Sequence, residues 1–159
     1  MNKTNKTNAM RLMDAAKIPY RAVEYEYDES DLGGEHVAAV TGMNPDQVFK
    51  TLVARGEKKG ILVFCIPVSC TLDLKKAAHA AGDKKVEMIH MKELLGLTGY
   101  IRGGCSPIGM KKKFPTVIDE TAQLSDTIYV SAGMRGRQII IAPEALANFV
   151  SAQFADIIK

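Results

Sequence analysis

A chain of 159 residues with 47% apolar and 25% charged side chains is long enough for one globular domain with its own core. Its net charge of +3 is mildly basic and short of histone-like, so a nucleic-acid partner is permitted but not demanded. No apolar run approaches the roughly 18 residues of a membrane span, and with no tryptophan and few aromatic residues the core has to be mostly aliphatic.

The opening MNKTNKTNAMRLMDAAK lacks an apolar h-region and is not a secretory signal. Residues 1–8 read as a polar leader, residues 9–159 as the domain proper, and the expected compartment is the cytoplasm. The Asn-x-Thr triplets at Asn2 and Asn5 then belong to the leader rather than to glycan sites. Leu12, Met13 and Ala16 fall at helical spacing, and Pro19 stops the helix. In YRAVEYEYDE, Val23, Tyr25 and Tyr27 alternate with Glu24 and Glu26, the pattern of a half-buried strand. Gly33 and Gly34 predict a loop, residues 35–40 a short helix stopped at Gly42, and Asn44-Pro45 a further helical turn.

FKTLVARGEKKGILVFCIPV predicts a hairpin with its turn at 55–60. Within it ILVFCI is apolar on both faces, which makes it a central strand, ended by Pro67. Leu74, Ala77, Ala78 and Ala81 mark a helix capped by Gly82. KVEMIH reads as a short strand and MKELLGL as a short helix. After a glycine-rich segment come the strands PTVID, TIYVS and QIIIA. PEALANFVSAQFADII is expected as one closing helix with Leu146, Phe149 and Val150 on its inner face. Hairpins mixed with crossovers predict an α+β domain on a mixed sheet, not a doubly wound Rossmann fold.

The glycine-rich segment, TGYIRGGCSPIGMKKK at 98–113, is the most distinctive chemistry in the chain. A P-loop needs Gly-x4-Gly-Lys-Ser/Thr, but Gly104 and Gly109 are followed by Met110. GxGxxG is missing too, and Pro107 opposes a helix starting inside the loop. Two readings remain: a tight turn, or a backbone cradle whose N–H groups meet a ligand oxygen and can form an oxyanion hole. Cys105 as a nucleophile would need a base, and none of His36, His79 and His90 pairs with it in sequence, so a buried, inert thiol is the simpler state. Three cysteines without a CxxC read as free thiols, and Cys70, His79, His90 and Cys105 match no zinc-ligand spacing. Lys50, set between Phe49 and Leu52, is either a snorkelling edge residue or an ammonium placed for a phosphate or a carbonyl oxygen. Lys111, Lys112 and Lys113 are either a solvated face or contacts to a nucleic-acid backbone.

NPDQVFKTLV, LDLKKAA…GDKKVEMI, GYIRGGCSPIGMKKKFPTVID and IYVSAGMRGRQI resemble, in order and spacing, the YbaK/EbsC family of free-standing aminoacyl-tRNA deacylases. That family is similar to the editing insertion domain of bacterial prolyl-tRNA synthetases. The resemblance runs from about Met10 to Ile158, and FKTL looks most like the YbaK branch, which removes cysteine from mischarged Cys-tRNA(Pro). It implies a strongly twisted, barrel-like mixed sheet with helices packed around it. It also implies Lys50 and the backbone of Gly103 as catalytic groups, and Tyr25, Leu32, Thr51, Gly104, Ser131, Gly133 and Gln138 as substrate-binding positions. Gln138 stands where that branch typically carries an aspartate, and Leu32 where an aromatic often sits. The implied reaction uses the substrate's own thiol against its ester and needs no metal or organic cofactor. The implied partners are the tRNA 3′ end, with Lys111–Lys113 as candidate contacts, and prolyl-tRNA synthetase. Two other readings are a deacylase of alanyl or seryl esters that activates water, and a non-catalytic tRNA-binding module.

Overall fold

Two β-rich runs on either side of a charged turn form the hairpin on which the fold is built. The computed structural model describes residues 6–30 and 32–159, with residues 34, 35 and 40 described by backbone alone. Strands β2 (Phe49–Gly56) and β3 (Gly60–Pro67) pair antiparallel in one unbroken register, from Phe49 opposite Pro67 to Gly56 opposite Gly60. The Asp83 carboxylate organises the turn between them. It accepts the N–H groups of Lys58 at 3.1 Å, Lys59 at 2.8 Å and Lys84 at 2.7 Å.

As its two apolar faces predict, β3 is central. β5 (Thr116–Asp119) lies parallel on its far side, β4 (Val86–Met88) flanks β2, and β8 (Gln153–Ala155) lies parallel beside β5. The five-stranded mixed sheet therefore runs β4-β2-β3-β5-β8. A second, antiparallel sheet has the order β1-β7-β6, from β1 (Arg21–Glu24), β7 (Arg137–Ile141) and β6 (Ile128–Ser131). A parallel bridge between Val48 and Tyr129 joins the two. This is an α+β domain, but its strands do not close into a barrel: the expected single sheet is divided in two.

Strand alternation sorts the hairpin residues between two cores. Phe49 and Cys65 face the three-stranded sheet and pack with Ile128, Val130, Ile139 and Ile141. Helices α1 (Asn8–Ala15) and α5 (Pro143–Val150) close this core through Met10, Met13, Leu146 and Ala147. Leu62, Phe64 and Ile66 face the other way, onto Ala77 and Ala78 of α3 (Leu74–Ala81). Each fully buried side chain of this size contributes about 1.5–3 kcal/mol. Asp73 caps α3 by accepting from the N–H groups of Lys75 and Lys76, and Gly82 ends it in a left-handed turn at φ 73°.

The remaining helices are α2 (Gly34–Thr41), ended by Gly42 as expected, and α4 (Leu94–Thr98), which follows a 3₁₀ turn at Met91–Glu93. Another 3₁₀ turn at Pro45–Gln47 answers the helical turn expected at Asn44-Pro45. Two expectations are corrected. The closing helix stops at Val150, because Ser151 takes a left-handed φ of 58° and residues 153–155 pair with the open edge of β5 instead. Asp119 fixes that return by accepting the Ile157 N–H at 3.0 Å. Phe149 and Val150 are only partly buried against the core that Leu146 enters fully. The first strand ends at Glu24, so Tyr27, 47% exposed, does not extend a buried stripe. Residues 1–5 of the polar leader lie outside the described residues, while Thr7 caps α1 by accepting the Met10 N–H. Among the described residues no helix is long and apolar enough to cross a membrane.

The donors around Asp83, that of Lys59 foremost, hold its carboxyl below the usual carboxylate range. Its stabilising contribution is therefore complete above the unfolded pKa of about 3.9 and is lost as pH falls through the lower folded value. Urea midpoints measured from pH 6 into that acid range should fall, and Asp83→Asn should lower the midpoint at pH 6 and flatten the acid limb.

Candidate active site

The two sheets meet at the start of β2, and a cavity of about 290 Å³ opens there. Seven residues picked from the sequence line it: Tyr25, Leu32, Lys50, Thr51, Gly103, Ser131 and Gln138. They come from β1's extension, the loop before α2, β2, the glycine-rich segment, β6 and β7. Only the fold brings them together. Gly104 and Gly133 stand behind the wall rather than in it, and Lys111, Lys112 and Lys113 lie elsewhere. Lys112 and Lys113 border a different groove, beside Phe114 and Phe149.

Lys50 is half-buried, and its ammonium donates to the Val68 carbonyl at 3.5 Å. It sits opposite Ile66, with Phe49 and Thr51 turned to the other face of the sheet. This is a positioned cation at the cavity wall, not a solvated edge lysine. Thr51 Oγ1 lies 3.8 Å from Cys65 Sγ, which ties that wall to the first core.

Gln138 is 6% exposed, and its Oε1 has no hydrogen-bond partner among the described residues. It pairs with Ser131 on β6 and Val23 on β1, so its backbone is fixed from both sides. An unpartnered buried carbonyl of this kind costs about 1–3 kcal/mol. The neighbouring Ser131 hydroxyl accepts the Gly133 N–H at 3.2 Å and so shapes the turn after β6.

The glycine-rich segment is a close-fitting cradle. Gly103 lines the cavity with φ +85°, a conformation that other residues adopt at a cost of about 1–2 kcal/mol. A Cβ on Gly104 would lie 3.1 Å from the backbone of Met134 and Arg135, so a side chain there would press these two segments apart. Arg135 Nε donates to the Arg102 carbonyl at 2.9 Å, and the Tyr100 hydroxyl donates to the Ile108 carbonyl, binding the loop to itself and to the β6–β7 turn. Among the described residues the N–H groups of Gly103 and Cys105 donate to no acceptor.

Cys105 lines the cavity, but burial pushes its thiol up to about 12, and the same cause raises Cys65 to about 12. None of the three histidines lines the cavity beside Cys105. Among the described residues no three His, Cys, Asp or Glu side chains gather as a metal-holding group. Sequence reading missed Arg102, Met91 and Val37 as lining residues. Arg102 was legible from its place directly before the glycine pair. Met91 and Val37 carry no local signal, because only the packing of α2 and the turn before α4 brings them here.

Residues 33–149 match the model of the aminoacyl-tRNA editing domain. The chain belongs to that family. A relative from Enterococcus faecalis, named "Putative Cys-tRNA(Pro)/Cys-tRNA(Cys) deacylase EbsC", is 53% identical over 96% of this chain and 93% of its own length. The uncharacterized protein YwhH of Bacillus subtilis is 26% identical over 78% of each chain. Among solved structures, a "putative trans-editing enzyme for prolyl tRNA synthetase" superposes with a TM-score of 0.80 at 26% identity, covering 95% of this chain and 96% of that one. A hypothetical protein shares the fold at a TM-score of 0.85 and 22% identity, over 94% of this chain and 97% of its own. This editing domain thus carries its cavity on a fold held across wide sequence divergence.

In the folded editing domain, fully buried Cys65 should resist iodoacetamide at pH 8, Cys105, half-buried at the cavity wall with its thiol raised, should label slowly, and urea should expose both. Peptide mass spectrometry reads both states. Native labelling of Cys65 as fast as in urea would contradict the burial described.

Proposed function

We propose that the protein is a free-standing aminoacyl-tRNA deacylase that clears Cys-tRNA(Pro) in the cytoplasm. The observation that carries this reading is the convergence of Lys50, the Gly103 backbone and the orphaned Gln138 carbonyl on one cavity with no nucleophile–base pair among the described residues. Such a site holds and polarises an ester but does not itself attack it. The missing nucleophile is then the substrate's own side chain.

In this mechanism the cysteinyl thiolate attacks its own ester carbonyl carbon. The carbonyl electrons move to oxygen, and collapse of the tetrahedral intermediate breaks the C–O bond to the terminal ribose. The ribose oxygen leaves and takes a proton, and the cysteine thiolactone departs to be opened by water. Orientation within a rigid pocket makes the intramolecular attack efficient. The N–H groups of Gly103 and Cys105 are the oxyanion donors. Lys50 holds the carbonyl oxygen or the phosphate of the terminal nucleotide. The α-ammonium of the substrate donates to Gln138 Oε1 and satisfies it, and Tyr25 and Leu32 bound the side-chain end. Selectivity over serine follows from acidity, since a thiol of pKa about 8.5 ionises far more readily than a hydroxyl. Phosphate contacts position a tRNA without identifying it, so prolyl-tRNA synthetase is proposed as the partner that delivers the correct one.

Single-turnover deacylation of Cys-, Ala- and Ser-tRNA(Pro) tests this. Rapid loss of cysteine alone is expected, slowed about 100-fold or more by Lys50→Ala, the scale of one lost oxyanion donor. Comparable hydrolysis of the alanyl or seryl ester would mean that water is activated here. Turnover of none would leave only a binding module. Gln138→Leu should raise KM at least tenfold with a smaller change in kcat, in line with about 1.5–3 kcal/mol for a hydrogen bond to a charged group.

A further inference from the structure

A second groove, of about 620 Å³, adjoins the candidate site. Lys50 and Leu52, two residues apart on the same face of β2, line both, so the two adjoin along one strand. The groove's volume falls within the range of small-molecule sites, roughly 300–1,000 Å³. Its make-up is two-fold. Leu74 and Met88, 40% and 44% exposed, lie in it although they are large and apolar. Lys75 and Lys159 stand beside them.

Those two lysines differ from their neighbour Lys76, which is held by Asp156 at 2.9 Å. Lys75 makes no salt bridge among the described residues, and Lys159 helps to lower the Asp73 carboxyl across the groove without a contact of salt-bridge length. Lys159 is fixed in place through its backbone, whose N–H donates to the Thr71 carbonyl at 3.0 Å, next to the bridge between Leu72 and Ile158. Asp73 also faces the groove, but its carboxylate accepts the N–H groups of Lys75 and Lys76 and caps α3. An apolar floor beside two ammonium groups suits a polyanion with flat apolar faces. Single-stranded nucleic acid is that polymer: bases lie on apolar side chains while phosphates meet lysines.

We infer that this groove holds the nucleotides preceding the terminal adenosine of the tRNA acceptor strand, their phosphates at Lys75 and Lys159 and a base on Leu74 and Met88. The inference rests on the deacylase reading, which places the terminal nucleoside ester in the adjoining cavity. The 5′ phosphate of that nucleoside has to leave the cavity somewhere, and Lys50 lines both the cavity and the groove. The strand thus leaves past α3, away from the groove bordered by Lys112 and Lys113.

Two measurements test this on the full chain, one of them independent of turnover. The first is the affinity of an unacylated single-stranded RNA ending in CCA, by fluorescence anisotropy across a salt series. The second is the preference in kcat/KM for cysteinyl-CCA trinucleotide over cysteinyl-adenosine. Lys75→Glu with Lys159→Glu should weaken RNA binding at least tenfold at 0.1 M salt. It should also flatten the salt slope by about 0.7 per lost phosphate contact and pull the trinucleotide preference toward one. Unchanged binding and preference would overturn the groove, whether or not the esters are cleaved. So would a wild type that neither binds the RNA nor prefers the trinucleotide, or a loss produced by Lys112→Glu with Lys113→Glu instead. RNA binding that depends on Lys75 and Lys159 without cleavage of either ester would uphold the groove and refute the deacylase.

Discussion

The antiparallel register of β2 on β3 decides which side of the sheet each residue of Phe49-Lys50-Thr51-Leu52 meets. β3 cannot shift, because it is paired along both edges and covered on both faces. A slip of one residue would send Lys50 into the core shared with β6 and β7 and turn Phe49 toward α3. Burying an ammonium there without a partner would cost several kcal/mol. The placement of the cation in the cavity is thus inherited from the most buried strand of the domain.

The second wall depends on absent atoms. Gly104 lets the glycine-rich segment touch the β6–β7 turn, and Gly103 takes a positive φ at the cavity wall. Hydrogen bonds from Tyr100 and Arg135 then hold the loop in this form. The fold supplies rigidity from one side and close approach from the other. Orientation and backbone donors need no titrating side chain, which fits a cavity whose only thiol, among its described lining residues, is pushed far from ionisation.

How much of this was readable in the chain differs from element to element. The hairpin, α3 and its Gly82 stop were legible because their signals are local: alternation, an i, i+3, i+4, i+7 stripe, a left-handed cap. β8 was not, because QFA continues the apolar spacing of α5 and becomes a strand only through the open edge of β5 and the Asp119 carboxylate. The division into two sheets was hidden for the same reason, since partner choice among strands is a tertiary decision. For the site, a resemblance of motifs pointed to seven of the residues that the fold gathers, and residue physics alone left Lys50 open between edge and cavity. The Lys111–Lys113 run misdirects attention: a dense local cluster stands out in sequence, whereas Lys75 and Lys159 are 84 positions apart and meet only by folding.

The pairing of β8 protects the sheet as well as completing it. This strand follows every other strand in the chain, yet it lies parallel against β5, whose outer edge has no other neighbour. Without residues 153–158 the sheet would present unpaired backbone along β5, the kind of edge on which other chains associate. The Asp119 carboxylate, wholly buried, would lose with that segment the Ile157 N–H that it accepts. One short segment thus closes a sheet edge and satisfies a buried carboxylate together.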